Sequence, residues 1–109
     1  MFNLVQTKEA GRDLDNLVAY MMYSLKNGQA ANNFLSEYER QIHNLVIFPF
    51  GYRGVSFEYQ GYEIHLKTFS SYNIFFVIDD LKHQIIILRV LKDRQNWKAI
   101  LQNEDTYSF

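Results

Sequence analysis

The sequence has no cysteine, and its 109 residues include only one proline and five glycines. Without cysteine, neither a disulfide framework nor a thiolate zinc site can form. The small number of helix- and strand-breaking residues indicates long regular elements rather than a disordered chain. We therefore predict a single domain over residues 1–109, with residues 102–109 as a loosely held tail.

Other features that are absent restrict the possible functions. No apolar run approaches the roughly 18 residues that cross a bilayer, and Met1–Gln6 is too short for a signal peptide. We expect a cytoplasmic protein without a membrane partner. The formal net charge is −1, so the basic excess typical of nucleic-acid-binding proteins is missing. There is no glycine-rich phosphate loop and no histidine at ligand spacing from a carboxylate, so we expect no cofactor and no metal.

The C-terminal third carries the strongest secondary-structure signal. Three β-branched and aromatic runs, separated by short polar breaks, predict strands joined as an antiparallel meander. These runs are Tyr62–Phe69, Tyr72–Ile78 and Gln84–Leu91. Phe2–Gln6 is predicted as a short first strand, and Val55–Tyr59 as either a further strand or an extended loop.

The residues between the first strand and the meander predict two helices. Thr7 is a suitable N-cap, and apolar residues then recur at helical spacing as far as Leu25. A second helix is predicted from Gln29 to Val46 and ends before Pro49. The predicted fold class is α+β: a short N-terminal strand, then an antiparallel helical hairpin packed on a mainly antiparallel sheet with a C-terminal three-strand meander. A short helix around 98–101, capped by Asp93 or Asn96, follows the last strand.

Four segments, taken in order, carry a family resemblance: Thr7–Leu14, Leu45–Gly51, Tyr72–Asp79 and Ile87–Trp97. The first reads TKEAGRDL, the second has proline and glycine two residues apart, and the last reads ILRVLKDRQNW. Together they resemble the RelE/ParE toxins of bacterial type II toxin–antitoxin systems, over about residues 2–101.

The resemblance implies a toxin that inhibits growth, stabilises a plasmid and is neutralised by a cognate antitoxin wrapped around it. Some members of the superfamily cut messenger RNA on the ribosome, others poison DNA gyrase, and some have no known target. The possible targets of this chain are therefore gyrase and the ribosome with its message. An exposed edge strand also makes a homodimer plausible when the antitoxin is absent.

RNA cleavage by attack of the 2′-hydroxyl needs a base, cations for the phosphorane charge and an acid for the leaving oxygen. By resemblance, the candidate catalytic residues are His65, Lys67, Arg89, Lys92 and Arg94, with Tyr107 as a further possibility. Each also has a structural interpretation: Arg89, for example, is suited to an ion pair on the sheet face. Trp97, Ile100 and Leu101 are interpreted as core anchors.

Two departures from the family pattern argue against catalysis. Gly61-Tyr62-Glu63 has a carboxylate where many members have arginine, and Lys92 stands where many have histidine. A carboxylate would repel the scissile phosphate, and lysine is a poor acid–base group at neutral pH unless burial lowers its pKa. The sequence therefore slightly favours a ParE-like toxin that is gyrase-directed or non-nucleolytic. The alternatives are a ribosome-dependent mRNA endoribonuclease, and a non-toxic interaction module or decayed toxin; whether the protein is an enzyme stays open.

Overall fold

The computed structural model describes residues 1–102 and residue 107. Within them, five strands and three α-helices follow the predicted order, and α1 continues into one π-helical turn, Tyr20–Ser24. The elements are β1 Asn3–Gln6, α1 Lys8–Ala19, α2 Gly28–Ile47, β2 Arg53–Tyr59, β3 Tyr62–Phe69, β4 Tyr72–Asp79, β5 Gln84–Lys92 and α3 Trp97–Gln102.

The strands form one sheet in the order β1-β5-β4-β3-β2. Strands β2 to β5 are an antiparallel meander, whereas β1 runs parallel to β5, with Leu4 opposite Ile85. The predicted fold class is confirmed. The segment left open as strand or loop is a strand, and it begins at Arg53, two residues earlier than predicted.

Thr7 joins the start of α1 to the last strand. Its hydroxyl oxygen accepts a hydrogen bond from the Ala10 amide at 3.0 Å, which caps the helix as predicted. The same hydroxyl donates to the Leu88 carbonyl oxygen at 2.8 Å. Because Thr7 is only 1% exposed, both hydrogen bonds are shielded from water.

The end of the first helix differs from the prediction. The Leu25 amide donates to the Tyr20 carbonyl, five residues earlier, at 3.0 Å, so the chain forms a π-turn. A π-turn holds more residues than an α-turn, and the side chains after Met21 are therefore rotated away from the core. The prediction that the apolar stripe continues through Met22 and Leu25 is wrong, since these residues are 44% and 54% exposed.

The helical hairpin covers one face of the sheet, as the sequence predicts. Leu45 of α2 lies there against a core that includes Ile74, Phe76 and Ile87. The opposite face carries a second core, which the one-sided interpretation missed. We call these surfaces the helix face and the opposite face.

The opposite face is covered by α3 and residue 107. The Trp97 ring packs 5.4 Å from that of Phe75, and Leu101 is buried, which confirms the predicted anchoring role. Asn96, not Asp93, accepts the capping bond, from the Ala99 amide at 3.4 Å. The predicted loose tail lies outside the described residues at positions 103–106, 108 and 109.

Candidate functional site

Two of the predicted catalytic residues meet around one tyrosine on the helix face. His65 and Lys67 share this face of β3, as the alternation predicts, because they lie opposite Phe76 and Ile74. The Lys67 ammonium donates to the Tyr52 hydroxyl at 2.8 Å, and His65 Nδ1 lies 3.1 Å from the Tyr52 carbonyl oxygen. Lys67 is only 8% exposed. The pair therefore fixes the loop before β2 and leaves little of the lysine open to a ligand.

Arg89 is held by an acid from the first helix. Its Nε and Nη2 donate to the two carboxylate oxygens of Asp13 at 2.7 and 2.8 Å, a bidentate ion pair. One of these oxygens also accepts the Val90 amide at 3.0 Å. Both side chains are largely buried. This is the geometry of the sheet-face ion pair that the sequence offers as the alternative to catalysis.

The remaining candidates lie elsewhere on the molecule. Lys92 and Arg94 are exposed, at the end of β5 and in the turn after it. Tyr107 is buried in the core of the opposite face, with its ring 5.2 Å from that of Tyr59. Tyr107 is therefore on the other side of the sheet from His65 and Lys67.

A cleft of about 630 Å³ opens on β2, the β2–β3 turn and α3. Its charged lining residues are Glu58 and Glu63, which stand directly opposite each other across the two strands. The Glu63 carboxylate folds over Gly54, so any side chain at that position would collide with it. Among the described residues that line this cleft there is no cation, and its field repels a phosphate.

A smaller pocket of about 410 Å³ lies between β3, β4 and the start of α3. Here Thr68 donates to the Asn73 side-chain oxygen, and Asn73 Nδ2 donates to Asp93 Oδ1, both at 2.9 Å. Arg53 and Trp97 complete the wall. Because Thr68, Asn73 and Asp93 satisfy one another, we interpret this network as a structural brace between the turn after β5 and strands β3 and β4.

An apolar groove lies beside the π-turn. A groove of about 360 Å³ separates the end of α1 from the end of β5, with Leu17, Met21, Leu25 and Val90 among its apolar lining residues. Burial raises the pKa of the Tyr72 phenol in the same wall. Lys92 and Asp13 are its charged lining residues, and Asp13 is already paired with Arg89. The groove thus has an apolar floor and a positive rim.

Sequence reasoning missed the partners rather than the candidates. The sequence places Asp13 in the Thr7–Leu14 segment and Tyr52 directly after the Leu45–Gly51 segment, but it indicates a partner for neither residue. Nothing local indicates that either reaches β3 or β5, because the contacts join Asp13 to Arg89, 76 residues away, and Tyr52 to Lys67, 15 residues away.

A helical hairpin packed on a mainly antiparallel sheet, in which β1 runs parallel to β5, fits the RelE/ParE class of toxin fold. The family model of the ParE toxin of the type II toxin–antitoxin system, parDE, matches residues 4–97. The chain therefore belongs to the ParE toxin family of type II toxin–antitoxin systems, and the predicted resemblance is confirmed. No curated protein is significantly similar to the sequence.

Two features are absent from residues 1–102 and 107. None of their helices combines the length and apolar character needed to cross a bilayer. No three histidine or acidic side chains among them converge as metal ligands would.

Proposed function

We propose that the protein arrests bacterial growth by binding DNA gyrase, and that a cognate antitoxin neutralises it. Membership of the ParE family supports a toxin with an antitoxin partner. Family membership does not specify gyrase as the target. That part of the proposal depends on the negative charge of the cleft lined by Glu58 and Glu63. A toxin that binds gyrase would act in the cytoplasm. A toxin–antitoxin pair of this kind would stabilise the plasmid that encodes it, because cells that lose the plasmid can no longer replace the antitoxin.

The acidic cleft is the observation that favours a toxin that binds its target over one that cleaves RNA. Glu58 and Glu63 present two carboxylates where a nuclease needs cations for the phosphorane charge. Among the basic candidates, Arg89 is paired with Asp13 and Lys67 is buried on Tyr52, and the exposed Lys92 and Arg94 do not line this cleft. These contacts favour a toxin that acts through its surface and makes no chemical step.

The proposal is tested by induced expression in a tightly regulated bacterial host, with primer extension on a reporter message. We expect growth arrest with filamentation and a DNA-damage response, and an intact message. In parallel, purified toxin should inhibit supercoiling by purified gyrase. Primer extension reports on cleavage of the message and the supercoiling assay reports on gyrase, so the two measurements distinguish the two targets.

Codon-phased cuts in the message would contradict the proposal and establish the endoribonuclease alternative. Alanine at exposed Arg94 should then abolish the cuts without unfolding the protein, since surface substitutions usually cost less than about 0.5 kcal/mol. Absence of arrest would instead identify an interaction module or a decayed toxin.

We propose that the antitoxin binds in the groove beside the π-turn. Its apolar floor suits one face of an amphipathic helix. Lys92 at the rim, and exposed Lys26 just past Leu25, provide positive charge outside the Asp13–Arg89 pair. We therefore infer that the docked helix carries acidic residues beside its apolar face.

Replacing Leu25 with glutamate is expected to weaken antitoxin binding by about thirtyfold, because the change places a negative charge on the floor of the groove. Leu25 is 54% exposed, so the fold should be retained. The measurement is calorimetric titration of purified toxin with its antitoxin. Phe48→Glu, at a somewhat more exposed apolar site (63%) that does not line the groove, is the matched control. If both variants bound the antitoxin with equal affinity, the groove would not be the antitoxin-binding site.

A further inference from the structure

The turn between the two helices of the hairpin contains an asparagine followed by glycine. Gly28 follows Asn27, whereas every other asparagine of the sequence precedes a residue with a side chain. A backbone amide nitrogen that follows asparagine can attack the carbonyl carbon of the asparagine side chain, and a side chain on the attacking residue hinders its approach. Glycine has no Cβ and gives the backbone the most freedom to reach this geometry. Asn27 is therefore the asparagine whose following residue hinders the attack least.

The backbone at Asn27 is only loosely held. Asn27 is the N-cap of α2 and is not itself helical, with φ −129° and ψ 83°. Its backbone carbonyl accepts the Ala31 amide at 3.3 Å, beyond the usual range for such a bond. The Gly28 amide is one of the first four of the helix, which have no carbonyl partner within the helix. The helical ladder thus fixes neither the attacking nitrogen nor its proton.

The side chain of Asn27 is polarised for attack. Its Oδ1 accepts a hydrogen bond from the Ala30 amide at 3.0 Å. A donor directed at this oxygen stabilises the negative charge that builds up there when a nucleophile adds to Cγ. The same contact that caps α2 therefore also favours the addition step.

The surroundings of Gly28 are open. Asn27 and Gly28 are both exposed, so water reaches the reacting atoms. In the part of the chain that the structure describes, a Cβ at Gly28 would come within 4 Å of nothing beyond its chain neighbours and the backbone of its own helix. Alanine can consequently replace this glycine without a collision, which provides a control.

We propose that Asn27 is a site of spontaneous deamidation through a succinimide. The Gly28 nitrogen loses its proton to solvent base and bonds to Asn27 Cγ. The bond from Cγ to Nδ2 then breaks, and Nδ2 takes up a proton and leaves as ammonia. Water opens the five-membered ring at either of its carbonyl groups, which yields aspartate or isoaspartate at position 27.

Both products add one negative charge beside Lys26. Aspartate keeps an oxygen that can accept the Ala30 amide, so the cap of α2 is retained. In isoaspartate the main chain passes through Cγ and gains one methylene directly before α2, so the cap geometry is lost. The reaction depends neither on the target of the toxin nor on its antitoxin.

The test is incubation of the purified full chain at physiological temperature, from neutral to mildly alkaline pH, followed by rapid tryptic mapping. The peptide 27–40 contains Asn27, Asn32 and Asn33, and fragmentation locates the change. We expect a mass gain of about 1 Da at position 27, as a mixture of aspartate and isoaspartate, while Asn32 and Asn33 stay unchanged. The rate should rise about tenfold per pH unit, because the deprotonated fraction of the attacking nitrogen does so.

Gly28→Ala is the matched control. The added methyl group meets no obstacle in the fold, so circular dichroism should show the same helical content. Conversion of Asn27 should nevertheless slow at least about tenfold, because the methyl group crowds the attacking nitrogen and restricts the backbone.

Three results would overturn the proposal. The first is an unchanged Asn27 in the folded protein when a sample unfolded in guanidinium chloride is converted, because the cap would then protect the side chain. The second is an equal rate in the Gly28→Ala variant. The third is formation of aspartate without isoaspartate, since direct hydrolysis of the side chain gives only the former.

Discussion

Replacement of Asp13 with alanine is expected to lower the free energy of unfolding by about 3–5 kcal/mol, the cost of removing one partner from a buried ion pair. The Asp13 carboxylate accepts two hydrogen bonds from the Arg89 guanidinium and one from the Val90 amide. Its loss leaves a largely buried cation without this counter-charge. Native domains have only about 5–15 kcal/mol in total, so the change would bring the protein close to unfolding at physiological temperature. Urea denaturation followed by circular dichroism measures the effect.

Asp15→Ala is the matched control for this prediction. Asp15 belongs to the same helix but is exposed, so its replacement should change the free energy of unfolding by no more than about 0.5 kcal/mol. If the two variants unfolded at the same urea concentration, the ion pair would not be a major source of stability. Arg89 would then be available again as a functional residue.

Replacement of Thr7 with valine is expected to cost about 2–4 kcal/mol. Valine keeps the shape of threonine but removes the hydroxyl that caps α1 and donates to the Leu88 carbonyl. Loss of an N-cap typically costs about 1 kcal/mol, and a buried carbonyl left without its donor costs about 1–3 kcal/mol more. The measurement is again urea denaturation: the midpoint should fall while the dependence of the free energy of unfolding on urea concentration stays the same.

Thr7→Ser separates the hydroxyl from the methyl group. Serine retains both hydrogen bonds and loses one buried methyl, which is worth about 0.8 kcal/mol. Valine should therefore be clearly less stable than serine. The reverse order would mean that packing around Thr7, rather than its two hydrogen bonds, holds the helix to the sheet.

Local chemistry explains why so much of the fold could be predicted from the sequence. The Thr7 cap, the stop before Pro49 and the alternation in β3 each depend on residues close in the chain, and each is found in the structure. The π-turn at Tyr20–Ser24 could not be predicted, because YMMYSL continues a regular helical spacing. The hydrogen bond from the Leu25 amide to the Tyr20 carbonyl belongs to a π-turn that changes the register and exposes two predicted core residues.

The candidate site was less predictable because its residues depend on contacts distant in sequence. Periodicity placed His65 and Lys67 on one face, but it could not indicate that Tyr52 would occupy that face with them. Similarly, Glu63 departs from the family pattern in the sequence, but its position opposite Glu58 and over Gly54 depends on the register of β2 against β3.

The pairing of the first strand with the last affects when the toxin can become active. Thr7 and Leu88 are 81 residues apart, so β1 has no neighbour until the ribosome has made β5. At roughly 5–20 residues per second, that interval is about 4–16 seconds. Throughout it the sheet lacks an edge and α1 lacks the strand that holds its cap, so the nascent chain cannot present a finished toxin surface. An incomplete translation product consequently lacks the finished five-stranded sheet on which the fold of this toxin family is built.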